Sequence, residues 1–518
     1  MKNEKNDSKD YHKNNNRNND NKGNRPFKKQ DKINDFTNAK AGDYFDGVCK
    51  IVRKAVPGPV IFVLSDGMFA VDGVIRESNF DVDDIVKVSG SVDERAGKLQ
   101  IEIKKIEKTD FDFNKLLDEK SKPVRTDFSI ESDRFNKMKI RFVEIAHQIR
   151  KAILNNQPIL IRHHNDSDGI NSGLAIERSC KGLMKRLGIN PEYNLYRSPS
   201  KAPFYEVADV FRDISLVKRL VDVHEQKNPL ILVLDNGSTP EDVFGMKTMK
   251  SLGCDVIVID HHNPVELKDG KTSVCPYLLN HLNPYMFGLD SETCAGMLCY
   301  ETARMIDEEF ENKLMPAIAA ISDRSNIEET DEYIEQSGKS RESLGKIGVA
   351  IDFTAYNMRF DPGKGVFDEL YVNEELVSMI NEEVSKGVET QLQSTLPYLR
   401  TQEINGVTFS SIDLEKYTLR FTYPTPGKVL GMIHDKVAEG KDAVITIGCL
   451  SDMVIVRATK PILPVQTIID NLQKVMPEAN VDGGGHEMAG AIKFVQAHSN
   501  SVLQNIKQQL RNIELNEE

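Results

Sequence analysis

The chain has 518 residues, of which 39% are hydrophobic and 28% charged, a composition typical of soluble globular proteins with about three domains at this length. It contains no run of about 18 apolar residues and no apolar leader, so we expect a cytoplasmic protein with no membrane partner. The net charge of −12 argues against a broad polyanion-binding surface and restricts any nucleic-acid contact to a local one. Seven scattered cysteines without a C-x-x-C pair argue against a zinc–thiolate site.

Residues 1–35 are rich in asparagine and lysine and have almost nothing apolar to bury. The segment contains ten Asn, ten Lys and Arg, and six Asp and Glu, which gives a local net charge of +4. Such a composition predicts a disordered basic tail. The tail could contact a phosphate backbone or serve only to solubilise the chain.

Residues 36–110 consist of short β-branched runs separated by turn signals. We predict five strands, at 44–52, 60–64, 68–75, 85–91 and 99–106. Five strands in so short a segment are typical of a small OB-like barrel, a fold that usually binds single-stranded nucleic acid in a groove. The candidate contacts are Phe45, Phe62 and Phe69 for base stacking and Arg53, Lys54 and Lys87 for phosphates. The alternative for each phenylalanine is a place in the barrel interior.

Strands and helices alternate over residues 130–350. The predicted strands lie at 158–161, 194–196, 230–234 and 256–259, and the predicted helices at 135–154, 170–186, 207–224, 293–306 and 314–322. This alternation predicts a doubly wound parallel α/β sheet, whose active site would lie at the carboxyl ends of its strands.

A linker at 351–400 contains a long predicted helix at 374–399. Residues 401–518 then read as a second, smaller α/β domain, with strands near 407–412, 443–450, 453–458 and 491–494.

The first strand of the parallel sheet runs into His-His-Asn-Asp-Ser-Asp-Gly at 163–169. Alternate side chains of an extended segment project to one side, so His164, Asp166 and Asp168 can converge on one cation. Gly169 allows a tight turn into the next helix. Taken alone, the motif leaves a metal site and a simple acidic turn equally open.

Three further groups of acidic or imidazole side chains follow predicted buried elements. They are Asp235, the run Asp260-His261-His262, and Asp323. A single polar residue at a strand end often only caps the next helix. Four such ends around one parallel sheet meet at the same edge, which favours a binuclear cation site.

In this order the motifs resemble the four successive motifs of the DHH phosphoesterase family. The run Gly-Gly-Gly-His-Glu-Met-Ala-Gly at 483–490 resembles the glycine-rich signature of the DHH-associated substrate-binding domain. The similarity extends over about residues 135–515. With its N-terminal barrel, the chain looks like the archaeal type of RecJ-like single-strand exonuclease, whereas bacterial RecJ enzymes carry their OB domain after the catalytic pair.

The resemblance implies a role for each motif residue. One divalent cation would be held by His164, Asp166 and Asp235, and a second by Asp168, Asp235, His261 and Asp323. The family implies Mn²⁺, and carboxylate and imidazole ligands also suit Mg²⁺ or Co²⁺. Asp260 would orient a neighbouring imidazole and His262 would contact the scissile phosphate. The substrate would be bound by Gly483, Gly484, Gly485, His486 and Arg457.

The resemblance therefore implies a two-metal phosphodiesterase that degrades single-stranded DNA or RNA from one end, in DNA repair, replication or RNA turnover. The barrel favours a long polymer, whereas short oligonucleotides or cyclic dinucleotides need only the two catalytic domains. A replication-complex scaffold related to the family is disfavoured because every ligand position is filled, and a manganese pyrophosphatase because of the glycine signature. Cleavage polarity, sugar preference and docking on replication-complex proteins are left open.

Overall fold

The computed structural model describes residues 31–56, 58–200, 202, 204–419, 421–486 and 488–512. The predicted tail at 1–35 therefore lies mostly outside the described residues. Its last part is ordered, since β1 (Lys32–Ile33) pairs in parallel with the start of the next strand. A search of the described ranges finds no helix that is both long and apolar enough to cross a bilayer.

The five predicted N-terminal strands form a closed barrel, as the sequence predicts. They are β2 (Tyr44–Ala55), β3 (Val60–Ser65), β4 (Ala70–Ile75), β5 (Ile85–Arg95) and β6 (Lys98–Lys108). The strand order is β2-β3-β4-β6-β5, and β5 pairs back onto β2 to close the barrel. Closure removes the free edges that an open sheet would expose.

The phenylalanines considered for base stacking have mostly structural positions. Phe45 and Phe62 are fully buried in the barrel core, and Phe45 stacks on Phe36 with ring centroids 4.6 Å apart. Phe69 is half-buried and packs against both the barrel core and the adjoining domain. The interior alternative is therefore confirmed for Phe45 and Phe62, and neither ring can stack on a base.

The basic residues considered with them lie nearer the surface. Arg53 is exposed. Lys54 lies 3.5 Å from Asp81, and Lys87 lies 3.8 Å from Asp46. Ion pairs near the surface are weak, typically below about 1 kcal/mol. These cationic side chains can therefore exchange their present partners for a phosphate group.

The central domain is a doubly wound α/β unit, which confirms the predicted fold class. Its elements, with the two helices that follow it, are α1 (Phe113–Lys120), α2 (Asp133–Leu154), β7 (Ile159–His164), α3 (Ser167–Arg186), β8 (Leu195–Ser200), α4 (Val207–Lys218), β9 (Leu230–Leu234), α5 (Val243–Ser251), β10 (Asp255–Ile259), β11 (Asn280–Leu282), α6 (Ala295–Ile306), α7 (Leu314–Ser322), α8 (Glu328–Ser337), α9 (Arg341–Met358), α10 (Val366–Val372) and α11 (Glu374–Thr395). The helix α9 passes without interruption through position 350, where we placed the end of the catalytic domain.

The order of the central sheet determines where a ligand can bind. Its five strands are parallel and run in the order β11-β10-β9-β7-β8. The chain reverses its direction of travel across the sheet between β7 and β9, so the loops that leave these adjacent strands diverge and open a crevice at the carboxyl edge. All five residues of β9 are buried, as expected for a strand covered on both faces.

The C-terminal domain is a mixed α/β unit. Its elements are β12 (Arg400–Ile404), β13 (Val407–Asp413), α12 (Leu414–Tyr417), α13 (Pro426–Ala438), β14 (Val444–Cys449), β15 (Met453–Ala458), α14 (Val465–Val475), β16 (Asp482–His486), β17 (Ala489–Lys493) and α15 (Ser499–Arg511). The sheet order is β12-β13-β14-β15-β17-β16, with one parallel pair, β13 and β14, among antiparallel neighbours.

The barrel is attached to the amino edge of the central sheet. Lys50 of the barrel bonds the Asn155 side chain at 3.1 Å, and Asn155 closes α2 just before β7 begins. Lys227, which precedes β9, lies 3.3 Å from Asp83 of the barrel. Because all strands of the central sheet are parallel, the barrel lies at the end of the sheet opposite to the crevice.

The C-terminal domain instead contacts loops at the carboxyl edge. Arg324, which follows α7, pairs with Asp435 of α13 at 3.0 Å. The Lys493 amine of β17 lies 5.6 Å from the ring centre of Phe204, which follows β8. The crevice thus lies between the central and C-terminal domains.

We expect Phe62→Ala to lower the free energy of unfolding of the barrel by about 3–5 kcal/mol, because it leaves a cavity in a closed core. Ile61→Ala is the matched control, since Ile61 is the next residue and is 39% exposed; it should cost about 1 kcal/mol or less. Urea denaturation followed by circular dichroism measures both values. Equal losses would contradict the interior position of Phe62.

Candidate metal centre

The predicted ligands come together at the carboxyl edge of the central sheet. Three groups of side chains have ligand atoms within 4.8 Å of one another. The groups are His164 with Asp166 and Asp235, Asp168 with His261 and Asp323, and Asp235 with His261 and His262. Asp235 belongs to two of the groups and His261 to two, so the described residues form one continuous cluster.

The end of β7 and the loop after it supply His164 and Asp166. Asp166 caps the N-terminus of α3, where its carboxylate accepts a hydrogen bond from the Gly169 amide at 3.0 Å. His164 Nδ1 lies 2.8 Å from Asp166 and 3.5 Å from Asp235. A Cβ atom on Gly169 would lie 2.2 Å from the His164 carbonyl oxygen, so the turn requires glycine at this position.

Asp168 is fixed by the start of another helix. Its two oxygens accept hydrogen bonds from the Ala295 amide at 3.0 Å and the Gly296 amide at 2.7 Å, at the N-terminus of α6. These donors and the helix dipole favour the charged carboxylate. A Cβ atom on Gly296 would lie 2.7 Å from an Asp168 oxygen, so this close approach also depends on glycine.

Asp235 supplies the strongest structural indication of a cation. It is 1% exposed, and within the described chain neither of its carboxylate oxygens has a hydrogen-bond partner. Its backbone lies in the left-handed region, with φ of 54°. The nearest imidazole nitrogens, of His261 and His164, lie 3.3 and 3.5 Å away. A buried carboxylate without a well-formed hydrogen bond is costly in a folded protein. A bound divalent cation would satisfy both oxygens, and the surrounding set of carboxylates and imidazoles fits a hard or borderline metal ion.

His261 is oriented toward the carboxylates. Its Nδ1 donates to the Ser291 carbonyl at 2.8 Å. That bond leaves Nε2 on the side of Asp235 and Asp168, at 3.3 and 3.7 Å. Asp323, at the end of α7, lies 3.7 Å from the His261 ring. A backbone acceptor on the far nitrogen is the usual arrangement behind a metal-binding histidine.

Asp260 and His262 form a separate bonded pair. One oxygen of Asp260 accepts hydrogen bonds from His262 Nδ1 at 2.7 Å and from the His261 amide at 2.8 Å. Asp260 is fully buried, whereas His262 is partly exposed toward the crevice. The imidazole that Asp260 orients in this structure is therefore His262.

The cluster holds protons that a cation would have to displace. Burial alone would lower the pKa of His164 and of His261, but their carboxylate neighbours raise both pKa values well above the usual range. Burial and Asp235 raise the pKa of Asp168. Burial raises the pKa of Asp323 to about 6, although His261 acts in the opposite direction. Cation binding and proton release are therefore linked.

The predicted substrate-binding glycines and His486 lie in a strand at the edge of the C-terminal sheet. Gly483, Gly484 and Gly485 lie in strand β16, and a Cβ atom on Gly483 would lie 2.2 Å from a β17 carbonyl oxygen. Gly483 and Gly485 are therefore needed for the close pairing of β16 with β17, whereas a Cβ atom on Gly484 would meet open space. The side chain of His486 lies outside the described residues, although its backbone pairs with Ala489.

Arg457 lies on the side of the C-terminal sheet that faces the central domain. It pairs with Ala489 across the sheet, in the same row as His486. Burial lowers its pKa, and the nearby Arg324 lowers the pKa further. The two guanidinium groups therefore share one region of the crevice.

Sequence reasoning missed Arg324, Lys428 and Asp352. Arg324 directly follows the predicted ligand Asp323, and that adjacency is a signal that could have been used. Lys428 pairs with Asp352 across the two domains, 76 residues apart in the chain. No local pattern indicates that contact.

Comparison with known proteins identifies the family. A sequence profile of the DHH family, N-terminal domain, matches residues 158–321. An uncharacterized protein of Methanocaldococcus jannaschii is 36% identical over 526 residues, which covers 91% of this chain and 69% of that protein. The chain belongs to the DHH family.

Solved structures are similar as well. The DHH domain of a member of the s1p family of ribosomal proteins has a TM-score of 0.75 and 33% identity, covering 77% of this chain and 97% of that one. RecJ of Thermus thermophilus, in complex with Mn²⁺, has a TM-score of 0.48 and 15% identity, covering 71% of this chain and 54% of that one.

We expect Asp235→Asn to abolish stabilisation by Mn²⁺, because Asp235 is shared between the ligand groups. At a cation concentration of 100 times Kd, wild type should gain about 2.7 kcal/mol. Thermal unfolding with and without Mn²⁺ measures the gain. Asp255→Asn is the control, because Asp255 is an exposed aspartate at the other end of β10; its gain should equal that of wild type. A retained gain in Asp235→Asn would contradict the shared-ligand assignment.

We expect Mn²⁺ to bind more tightly as the pH rises from roughly 5.5 to 7.5, since carboxylates must lose protons to become ligands. The pKa of about 6 for Asp323 places part of the change in this range. Calorimetric titrations in buffers of different ionisation enthalpy count the protons released. Binding that is independent of pH, without proton release, would contradict the linkage.

Proposed function

We propose that the protein is a metal-dependent phosphodiesterase that degrades single-stranded nucleic acid from an end. The observation that carries this proposal is the buried Asp235 carboxylate, which lacks hydrogen-bond partners in the described chain and lies among six other acidic or imidazole side chains at the crevice. In an open α/β sheet this is the place where ligands bind. Membership of the DHH phosphoesterase family supports the same chemistry.

The proposed ligands are those that the family resemblance implies, and two of the groups in the structure support them. His164, Asp166 and Asp235 would hold one cation. Asp168, His261 and Asp323 would hold the second together with Asp235, which lies 3.3 Å from His261. A ligand set of carboxylates and imidazoles favours Mn²⁺, with Mg²⁺ or Co²⁺ as other ions that suit the set. When bound, such a pair of cations supplies Lewis-acid charge to a phosphoryl group and lowers the pKa of water.

His262 is the residue best placed to donate to the substrate. Burial would lower its pKa, but Asp260 raises the pKa overall, which favours the protonated ring. Since Nδ1 donates to Asp260, the remaining donor is Nε2–H. A proton at that atom can stabilise negative charge that develops on a phosphate oxygen.

The side of the crevice formed by the C-terminal domain offers positive charge. Arg457 lies close enough to Arg324 for that guanidinium group to lower the pKa of Arg457, and Arg324 is held at 3.0 Å by Asp435. Guanidinium groups bind phosphates bidentately. Together with the Gly483 to His486 strand, they form the proposed contact for the substrate backbone.

The N-terminal barrel supports a polymeric substrate over a dinucleotide. Its fold commonly binds single strands, and the basic residues on its surface, Arg53 among them, are available. A scaffold role on a replication complex would not require the complete ligand set that this chain retains. DNA against RNA and the direction of degradation are questions for the experiment.

The test is degradation of 5′- and 3′-labelled single-stranded DNA and RNA in the presence of Mn²⁺. We expect wild type to release mononucleotides from one end, and the double variant Asp260→Ala with His261→Ala to lose at least about 100-fold in rate, because the His262 orienting group and a ligand are removed. The label that is released first gives the polarity.

The matched control is Asp222→Ala with His224→Ala, an exposed aspartate and histidine on the same domain. Its rate should equal that of wild type. If wild type is inert on every polymer but cleaves dinucleotides, the substrate class is wrong and the chemistry stands. Inertness on both classes would contradict the enzymatic proposal.

A further inference from the structure

The helix α9 lies directly behind the ligand loops. Gly348, Asp352 and Ala355 lie on one face of it, at the spacing of successive turns. A Cβ atom on Gly348 would lie 2.3 Å from Ser322 Oγ, so the helix packs as closely as its backbone allows. The Ala355 carbonyl accepts a hydrogen bond from Asn165 at 3.2 Å. This face therefore supports the loop that carries His164 and Asp166.

Asp352 joins this support to the other domain. One of its oxygens accepts the Ser167 amide proton at 2.8 Å, and the other accepts from the Lys428 amine. Lys428 lies on α13 of the C-terminal domain. The Asp352 side chain is 14% exposed and that of Lys428 is 39% exposed, so the pair is partly shielded from solvent.

Ser167 links the ligand group that contains Asp166 to the group that contains Asp168 and Asp323. It lies in the chain between Asp166 and Asp168, and its hydroxyl accepts from Ser322 at 2.9 Å. Ser322 directly precedes Asp323. A single hydrogen-bonded chain thus runs from Lys428 through Asp352 and Ser167 to both sides of the cation site.

The amine of Lys428 is charged at neutral pH. Burial alone would lower the pKa of Lys428, but Asp352 raises it overall, so the amine stays protonated. The amine also lies 5.8 Å from the ring centre of Tyr423, whose ring packs edge-on against Phe353 at 5.3 Å. That aromatic contact crosses the same boundary and does not depend on the lysine charge.

We propose that Lys428 is a positioning residue for the cation site: by holding Asp352 it fixes the Ser167 amide, and so couples docking of the C-terminal domain to the geometry of the ligand loops. The inference rests on the proposed function, in that it assumes a cation at these ligands. Lys428 belongs to none of the ligand groups, although its positive charge acts on the carboxylate of Asp166. Removal of that charge alone would favour cation binding, so weaker binding by Lys428→Met would indicate lost positioning. Partners behind a metal site commonly alter metal affinity by about 10- to 100-fold.

The experiment is calorimetric titration of the full chain with Mn²⁺, without nucleic acid. We expect Lys428→Met to bind Mn²⁺ about tenfold more weakly than wild type, and Lys428→Arg to restore most of the affinity because it keeps the charge. Lys460→Met is the matched control, since Lys460 forms an exposed ion pair with Asp442 at 2.6 Å within the same domain. Its affinity should be unchanged.

Asp352→Asn provides an independent measurement, because it keeps an acceptor for the Ser167 amide and removes the attraction for Lys428. It should weaken Mn²⁺ binding as Lys428→Met does, and the double variant should lose no more than either single variant. If Lys428→Met fails to fold, as judged by circular dichroism, the comparison of Asp352→Asn with wild type decides.

The outcomes separate the two proposals. If wild type itself does not bind Mn²⁺, the proposed function is contradicted. If wild type binds and folded Lys428→Met or Asp352→Asn binds equally well, the coupling is wrong and the metal site stands. Equal weakening in Lys428→Met and Lys460→Met would also overturn the coupling, because the loss would then not depend on the contact with Asp352.

Discussion

The arrangement of this protein depends on keeping several carboxylates close together at one sheet edge where water is largely excluded. Asp168 and Asp235 are 3% and 1% exposed, and the charge of Asp235 raises the free energy of ionising Asp168. Such a cluster persists in a folded protein only if its side chains are fixed by other bonds or neutralised by a ligand. Asp168 meets the first condition, because the first amides of α6 donate hydrogen bonds to it. Asp235 corresponds to the second, because its two buried oxygens lack hydrogen-bond partners in the described chain.

The close packing around the cluster follows from the same requirement. Gly169, Gly296 and Gly348 each lie where a side chain would collide with a ligand loop or with a residue that supports one. Small residues at these positions let three separate elements approach the crevice. Rigid support of this kind is what allows ligand groups of like charge to be held in place before a cation arrives.

Much of the fold could be predicted because the spacing of apolar residues along the sequence indicates which residues are buried. The barrel strands alternate, and strands β9 and β10 are continuous apolar runs that end in Asp235 and Asp260. Strand β11 was missed because two of its three residues are polar, Asn280 and His281. Both are buried and satisfied by side-chain bonds, such as that from His281 to Ser238 at 2.9 Å, which no hydrophobic pattern indicates. No strand was predicted at β16 because its glycines lack strand propensity, yet they pair closely with β17.

The gathering of the ligand residues at one edge was predictable for a topological reason, since the carboxyl ends of parallel strands coincide. The supports behind them were not, because Asp352 and Lys428 meet only through tertiary packing. The boundary between domains could not be predicted from local sequence for the same reason. Helix α9 continues through position 350, and its second half contacts the loop that carries the ligands.

Under the proposed function, the attachment of the barrel to the amino edge of the sheet would set a minimum length for a strand that contacts both the barrel and the crevice. The six residues of β7 separate the two edges by about 20 Å, at about 3.3 Å per residue. A stacked single strand rises about 3.4 Å per nucleotide, so about six nucleotides would be needed to reach from the barrel to the crevice. An oligomer shorter than this could engage only one of the two regions at a time, whereas a longer strand could occupy both. The length of the nucleic acid alone would then separate substrates that contact one region from substrates that contact both.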